Sequence, residues 1–414
     1  MRPIYNKVIG TCASVLMVSC QQDIPMVSLG VDSQYRIERM RKLILRPEFT
    51  GEAYRWTLKD SEGADSTVST EREFIFVAEK PGTYALRLDI IDAQNPVMQE
   101  VEINVEEESV AYSRYRHIAE VYKYCPAPGQ FVNIMPLYEE GDTEEDMCRK
   151  ARESISGTND IMISLGGYGG YVTFGFDHTV VNVPGQKDFK ILGNAFYADA
   201  NPNPSAPDSG GSCEPGIVMV SIDRNNNGLP DDEWYELAGS EYHKPETRHG
   251  FQITYTRPAA DKVPTPDNNS PITDTTYILW ETGDGKKGYI AKNAYHNQDY
   301  YPAWIAEDRL QFSGTRLADN AVDESGGKGS YFVLYAYDWG YVDNHPNSEE
   351  DKISFDIGWA VDSLGNPVHL PGVDFIRVYT GVNQQCGWLG ETSTELSRAE
   401  DLHVEDQTHY LPNP

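Results

Sequence analysis

The stretch from Asp223 to Glu233 places oxygen-bearing side chains at the spacing of a calcium loop. Gly228 permits the sharp turn that such a loop needs, and Ca²⁺ takes six to eight oxygen ligands. The candidate ligands to a structural Ca²⁺ are Asp223, Asn225, Asn227, the Leu229 carbonyl, Asp231, Asp232 and Glu233. A strand-like run precedes the loop, and Trp234 stands where an EF-hand has its bidentate Glu. An Asn/Asp-rich turn without metal is the alternative.

A second acidic stretch lies between residues 338 and 351. It contains Asp338, Asp343, Glu349, Glu350 and Asp351. These carboxylates could supply another cation site, but their spacing matches no ligand pattern. A solvated acidic loop is the alternative, and the sequence leaves both open.

Aromatic side chains beside amides are the third feature that could do chemistry. In the segment 295–304, four aromatic residues are interspersed with histidine, amide and carboxyl side chains. Aromatic rings on loops, with polar groups beside them, form platforms for sugars and flat ligands. The candidate ligand-binding residues are Tyr168, Tyr171, Tyr295, Tyr300, Tyr301, Trp304, Trp339 and Trp388. The alternative for each is a place in a tyrosine-rich core.

Sequence signatures of catalysis are weak. The chain contains neither the G-x-S-x-G motif of serine hydrolases nor the H-E-x-x-H motif of zinc peptidases. Its carboxylates are too numerous for one pair to be singled out as the acid and base of a glycoside hydrolase. The sequence therefore favours a ligand-binding protein, with a hydrolase and an adhesive or structural protein as alternatives.

Composition limits the class of protein. The 414 residues include 64 Asp and Glu against 34 Lys and Arg, which gives a net charge of −30. This balance argues against nucleic acid and anionic membrane surfaces as partners, because both are bound by basic patches. Apolar residues make up 39% of the chain, enough to build packed cores. These numbers suit a soluble, extracytoplasmic chain.

The first twenty residues have the pattern of an export signal. A basic start precedes a short apolar run that ends in LMVSC at residues 16–20. The run is too short to span a bilayer, and its end resembles a bacterial lipobox, in which the cysteine is diacylated after cleavage. We therefore expect a signal peptide at 1–19, a lipid on Cys20 and a tether at 20–25. An ordinary cleaved signal with an incidental cysteine is the alternative.

Four cysteines follow in the rest of the chain, at Cys125, Cys148, Cys213 and Cys386. In an oxidising compartment they allow two disulfides. We prefer the pairs Cys125–Cys386 and Cys148–Cys213, and free buried thiols are the alternative.

The elements that must position these residues are mostly strands. At 26–107, short alternating runs between turn residues predict a β-sandwich with Trp56 in its core. The range 113–414 predicts a larger, jelly-roll-like β module that carries the calcium loop. Its one clear helix is capped by Thr143, with Asp146 at the reciprocal position, and ends before Gly157. The predicted fold class is all-β, an immunoglobulin-like sandwich followed by the jelly-roll-like module.

Several motifs in this chain resemble known families. The run PGTY at 81–84 resembles the turn and strand of polycystic kidney disease (PKD) domains, which are immunoglobulin-like spacers. Longer motifs resemble a family of PKD-domain-containing cell-surface lipoproteins of gut gram-negative bacteria. They are YCPAPGQF at 124–131, LGGYGGYVTFGFDHTVVN at 165–182, EPGIVMVSIDRNNNGLPDDEWYELAGSEY at 214–242 and PGVDFIRVYTGVNQQCGWLGETSTE at 371–395.

The resemblance implies a nutrient-capture role. Such lipoproteins are similar to those encoded beside outer-membrane TonB-dependent transporters, including systems for vitamin B12 and other corrinoids. The implied protein is anchored in the outer membrane by its N-terminal lipid alone and faces the cell surface. Corrinoid is the first ligand implied and glycan the second, with a TonB-dependent transporter as partner. No binding residue is carried over, because the shared motifs are scaffold motifs.

Overall fold

The computed structural model describes residues 29–59, 64–108, 116–159, 161–198, 203, 205–206 and 209–404. The predicted signal peptide, Cys20 and the tether lie outside this part of the chain. Within it, the chain forms 28 strands and one α-helix, which confirms the all-β fold class. No helix in these ranges is long and apolar enough to cross a bilayer.

Residues 29–108 form a β-sandwich, referred to below as the sandwich. Its strands are β1 (Gln34–Glu38), β2 (Leu43–Leu45), β3 (Ala53–Lys59), β4 (Asp65–Ser69), β5 (Phe74–Phe76), β6 (Gly82–Ile91) and β7 (Val97–Glu106). One sheet has the order β1-β7-β6-β3-β4, and β2 pairs with β5. Trp56 has no exposed surface and lies with its ring centroid 5.3 Å from that of Phe74, so its predicted place in the core is confirmed.

Residues 116–404 form the main module, whose strands are mostly short. They are β8 (Glu120–Cys125), β9 (Ile163–Ser164), β10 (Tyr171–Gly175), β11 (Val180–Val181), β12 (Phe189–Leu192), β13 (Phe196–Tyr197), β14 (Gly210–Ser212), β15 (Gly216–Ser221), β16 (Trp234–Leu237), β17 (Arg248–Thr256), β18 (Ile272–Thr282), β19 (Lys287–Asn293), β20 (Arg309–Arg316), β21 (Ala321–Asp323), β22 (Phe332–Tyr335), β23 (Ser354–Phe355), β24 (Ala360–Val361), β25 (Gly372–Val373), β26 (Phe375–Thr380), β27 (Glu395–Leu396) and β28 (Arg398–Asp401).

These strands form several sheets. The largest has the order β24-β16-β15-β26-β10-β8, and a four-stranded antiparallel sheet has the order β19-β18-β17-β20. Smaller sheets are β13-β14-β22-β21, β23-β12-β28, β11-β25 and β27-β9. The jelly-roll layout of this module stays a prediction.

The six-stranded sheet is buried on both faces. Val218 and Val220 of β15 pack into one apolar cluster, together with residues of the helix. Ile217 of the same strand packs into a second cluster, with Ile253 of β17 and Phe312 of β20. Because both faces of the six-stranded sheet are covered, β15 is apolar at nearly every position. The second cluster also packs the four-stranded sheet against the six-stranded sheet.

The single helix, α1 (Glu144–Ile155), begins and ends as predicted. The Thr143 side chain accepts a hydrogen bond from the Asp146 N–H, and the Asp146 side chain accepts one from the Thr143 N–H. Ser156 caps the other end, and Gly157 follows with a positive φ of 61°. Met147 is one of the buried helix residues through which α1 packs against the rest of the module.

The turn after β1 joins the sandwich to the module. The Met40 carbonyl accepts a hydrogen bond from the Thr179 N–H at 3.2 Å. Lys42 Nζ lies 2.8 Å from Asp374 Oδ2 and 3.2 Å from Asp223 Oδ2. This junction therefore brings a cation from the sandwich to the first residue of the predicted calcium loop.

The four described cysteines are free thiols, so the preferred disulfides are not formed. Cys213 and Cys386 share one buried cluster, whereas Cys125 and Cys148 pack against the large cluster that contains α1. Each preferred pair would join residues from these different clusters. The fold contains free thiols, as in the alternative, and of these Cys213 and Cys386 are buried whereas Cys125 and Cys148 are partly exposed.

Candidate functional site

An open groove of about 1150 Å³ lies at one end of the four-stranded sheet. Strand β17 ends there and β20 begins there, and the first half of β18 and the end of β19 complete the edge. We call it the polar groove. The polar and aromatic residues that line it are Thr256, Arg257, Lys262, Thr273, Asp274, Tyr277, Lys292, Asn297, Asp299, Tyr301 and Asp308.

The charges of the polar groove occur as three pairs of opposite sign. Lys262 is paired with Asp274, and Arg257 Nε lies 3.4 Å from Asp308 Oδ1. Lys292 Nζ lies 3.9 Å from Asp299 Oδ1. Three cations and three anions therefore balance, so the groove offers many donors and acceptors without a net charge.

The buried partner of one pair is held ionised. Burial alone would raise the pKa of Asp274, but hydrogen bonds from Lys262 and from the Thr276 and Thr265 N–H groups lower it below its usual value. These bonds fix the Asp274 carboxylate, which in turn holds Lys262 at the groove.

Two tyrosines line the polar groove, Tyr277, which is partly exposed, and Tyr301, of which only 3% is exposed. The Tyr277 hydroxyl donates a hydrogen bond to Asp299 Oδ1 at 3.0 Å, and Lys292 Nζ lies 4.7 Å from the Tyr277 ring centroid. The Arg257 guanidinium lies 4.1 Å from the ring centroid of Tyr301. Burial raises the pKa of Tyr301 to about 12, so its hydroxyl keeps its proton at neutral pH. These contacts hold both rings in place before a ligand arrives.

The residues of the predicted aromatic platform lie in separate parts of the fold. Tyr301 lines the polar groove, and Tyr300 lies fully buried with its ring against Tyr277. Trp304 is buried in the core beside Tyr124. Both residues are buried, so burial favours the alternative of a place in the core, and ligand contact by Tyr300 and Trp304 stays a prediction.

The other candidates lie elsewhere on the module. Tyr168 is fully buried against Phe251 and Tyr379. Arg377 covers the Tyr171 ring at 4.8 Å, and Trp339 packs on Trp359 with centroids 4.6 Å apart. Tyr295 is 64% exposed and contacts Trp388, with centroids 5.6 Å apart, so these two predicted residues from distant segments do meet.

The residues of the polar groove that sequence reasoning missed carry no local signal. Arg257, Lys262, Tyr277 and Lys292 lie on separate strands and loops, and each is an ordinary surface residue type in its own segment. Of the sequence predictions, only the aromatic segment 295–304 includes residues of the polar groove. The four strand ends bring the remaining residues together.

In the predicted calcium loop, residues 223–233, backbone N–H groups of the loop bond to the side chain of Asp223. The carboxylate of Asp223 accepts hydrogen bonds from the Asn227 N–H at 3.1 Å and the Gly228 N–H at 3.0 Å. Asp231 accepts from the side-chain amides of Asn225 and Asn227. The loop thus gathers two other predicted ligands, Asn225 and Asn227, around Asp231.

Other predicted ligands of this loop point elsewhere. Asp232 accepts a hydrogen bond from the Arg224 N–H, and Glu233 accepts one from the Tyr235 hydroxyl at 2.8 Å. Leu229 accepts the Asp231 N–H through its carbonyl. The calcium site at 223–233 stays a prediction.

A different set of carboxylates converges in the interior. Oxygens of Glu214, Asp343 and Glu395 lie within 4.8 Å of one another. We call these residues the acidic triad. Asp343 accepts hydrogen bonds from the N–H groups of Asn194 at 2.7 Å and Glu395 at 3.0 Å. Within the described ranges, no basic side chain forms an ion pair with the triad.

Burial dominates the electrostatics of the acidic triad. It raises the pKa of Glu214, Asp343 and Glu395, and repulsion between the carboxylates adds to the effect for Glu214 and Glu395. Such a set shares protons at neutral pH or holds a hard cation through oxygen ligands. The sequence showed Asp343 in an acidic stretch, but Glu214 and Glu395 come from distant segments.

Comparisons with known proteins assign no family. No protein-family model matches the chain. An alignment of 158 positions, which covers 33% of this chain, is 29% identical to imidazole glycerol phosphate synthase subunit HisF of Prochlorococcus marinus (strain NATL2A). The match spans 59% of that protein. Among solved structures, SusE-like protein BT2857 aligns over 90% of this chain and 96% of its own, at a TM-score of 0.24 and 7% identity.

Proposed function

We propose that the main module binds a neutral glycan in the polar groove. The observation that carries this proposal is the groove itself, about 1150 Å³ in volume, with three charge pairs and two fixed tyrosine rings along its walls. Ligand sites for drug-sized molecules occupy roughly 300–1,000 Å³, so this volume suits more than one sugar ring.

The chemistry of the polar groove matches that of sugars. A sugar hydroxyl both donates and accepts, and paired cations and carboxylates offer partners for both roles. The balance of three cations and three anions gives an acidic or basic ligand no net electrostatic advantage. Tyrosine rings pack against the apolar faces of pyranose rings while their hydroxyls bond to polar neighbours.

Corrinoid, the first ligand implied by the family resemblance, rests on that resemblance alone. The contacts described for the polar groove favour a polyhydroxylated ligand instead. The same resemblance and the LMVSC run at 16–20 support a second part of the proposal. In it, a lipid on Cys20 anchors the chain in the outer membrane, the sandwich spaces the module from it, and a TonB-dependent transporter receives the ligand.

An array of neutral and acidic oligosaccharides tests the binding proposal. We expect neutral glycans to bind the full chain, and Tyr277→Ala to weaken that binding at least about tenfold, or about 1.4 kcal/mol. Tyr84→Ala in the sandwich is the matched control and should bind as the unaltered chain does. Saturable binding of cyanocobalamin with no binding of neutral glycans would overturn the proposal.

A further inference from the structure

A second, smaller cavity opens on the other part of the four-stranded sheet. It has a volume of about 70 Å³ and lies between Trp280 of β18, Tyr289 of β19 and the segment 382–392. We call it the aromatic crevice. It shares no lining residue with the polar groove, so a ligand site in the crevice is independent of the glycan proposal.

The crevice is lined by a buried carboxylate with an unused oxygen. Glu391 is 8% exposed, and its Oε1 accepts a hydrogen bond from the Gln130 N–H at 2.6 Å. Its Oε2 is buried and has no hydrogen-bond partner among the described residues. Burial of an unpartnered carboxylate oxygen is costly, and native proteins rarely retain one without a ligand or a bound water.

The surrounding chain is shaped to hold Glu391 where it is. A Cβ at Gly129 would lie only 2.8 Å from Glu391 Oε1, so this position admits little beyond glycine. The Gln130 side chain donates a hydrogen bond to the Leu389 carbonyl at 2.8 Å, which fastens the segment that carries Glu391. The carboxylate is therefore positioned before any ligand binds.

Aromatic rings line the crevice together with this carboxylate. Trp280 lies directly over Gly288, where a Cβ would come within 2.2 Å of the indole ring, and Tyr289 is 45% exposed. Tyr255 and Tyr168, which are fully buried, also line it. A cavity lined by a carboxylate and aromatic rings suits an organic cation, which forms an ion pair with the first and cation–π contacts with the second.

Size narrows the ligand further. The volume of the crevice, about 70 Å³, is much smaller than that of the polar groove, about 1150 Å³. A crevice of this size suits a small group such as an ammonium with its first carbon atoms. We propose that the aromatic crevice binds the ammonium end of an alkylammonium ligand, with Glu391 Oε2 as its counter-ion.

Titration calorimetry with n-butylammonium chloride tests this proposal on the full chain, with n-butanol as the uncharged probe of similar shape. We expect saturable binding of n-butylammonium and at least about tenfold weaker binding of n-butanol. Glu391→Gln should weaken n-butylammonium at least about tenfold, whereas Glu140→Gln on the exposed surface should leave it unchanged. Tyr289→Ala, which leaves the buried carboxylate intact, should weaken it as well.

Two sources of the ammonium group are then distinguished by the probes. Glucosamine against N-acetylglucosamine tests an amino sugar, and Nα-acetyl-lysine amide tests a lysine side chain; the tighter binder identifies the source. Absence of saturable n-butylammonium binding would overturn the proposal, as would equal binding of n-butanol. Equal affinity in Glu391→Gln and the unaltered chain would overturn it too, because Glu391 would then not be the counter-ion.

Discussion

The sandwich and the main module differ in what they bury. Among the described residues of the sandwich, Thr57 is the one buried polar side chain, and the core around Trp56 is otherwise apolar. The main module buries many polar groups, including carboxylates of Asp343, Glu391 and Glu395. Both regions are built from strands, so the difference does not come from secondary structure.

This difference concerns the cost of folding each region. An apolar core is stabilised by burial alone, whereas each buried carboxylate has a desolvation cost that partners must offset. The described residues of the sandwich include no buried carboxylate. The module retains several, and one of them, Glu391, lines the aromatic crevice.

The largest effect is expected in the sandwich core. Trp56→Ala removes a side chain without exposed surface and should lower the free energy of unfolding of the sandwich by about 3–5 kcal/mol. Urea unfolding followed by circular dichroism measures it. Glycan binding by the module should survive under native conditions. Loss of that binding in the folded variant would show that the sandwich is more than a spacer.

The pH dependence of stability is the next largest effect. Burial raises the pKa of Glu391 and of Glu236 from 4.5 to about 7. Between these values the folded chain holds a proton that the unfolded chain has lost. Stability is therefore fully present below about pH 4.5 and falls as pH rises through about 7, on the order of 3 kcal/mol for Glu391 alone.

Chemical denaturation at pH 5 and pH 8 measures this slope. The raised pKa of His178, whose ring is bonded to Asp177 and Asp401 despite its burial, acts in the same direction. The double variant Glu236→Gln, Glu391→Gln should reduce the dependence, and the raised pKa values of the acidic triad should account for the part that remains. A module that is more stable at pH 8 than at pH 5 would contradict the raised pKa values of these carboxyl groups.

Calcium binding distinguishes the predicted calcium loop, residues 223–233, from the acidic triad. We expect Ca²⁺ to stabilise the chain by about 2.7 kcal/mol at about a hundred times its Kd, seen as a rise in Tm by scanning calorimetry. Asp231→Ala in the 223–233 loop should abolish the rise, and Glu214→Gln in the acidic triad should preserve it. The reverse pattern would move the ion to the triad, and an unchanged Tm after chelation would remove the calcium site.

The smallest effect is expected from one hydrogen bond in the polar groove. Asp299 accepts from the Tyr277 hydroxyl at 3.0 Å and is exposed, so Asp299→Asn keeps its shape and loses its charge. We expect glycan affinity to fall by about 0.5–1.5 kcal/mol, with stability unchanged, by calorimetric titration. An unchanged affinity would place the ligand away from Asp299.

The two regions also differ in how far the sequence predicts them. The predicted strand around Trp56 lies within β3 (Ala53–Lys59), and the PGTY run starts β6 (Gly82–Ile91), because strands of this length show clear alternation. The capping box at Thr143 is equally local, and it is confirmed. Short-range patterns were therefore sufficient for the sandwich and the helix.

The site depends on contacts that no local pattern encodes. Strands such as β11 (Val180–Val181) are too short to show a period. The acidic triad joins positions 214, 343 and 395, and the polar groove collects residues from four strand ends. The spacing of the cysteines did not predict their partners for the same reason. Cys213 and Cys386 meet in a cluster that excludes Cys125, and no local pattern encodes that contact.

Glycan binding in the polar groove is tested most sharply by a calorimetric titration. The titrant is the neutral oligosaccharide with the strongest array signal, added to the full chain, to Tyr277→Ala and to the Tyr84→Ala control. We predict saturable binding to the full chain and the control, and at least about tenfold weaker binding to Tyr277→Ala. Equal affinity in all three proteins would contradict a glycan site in this groove.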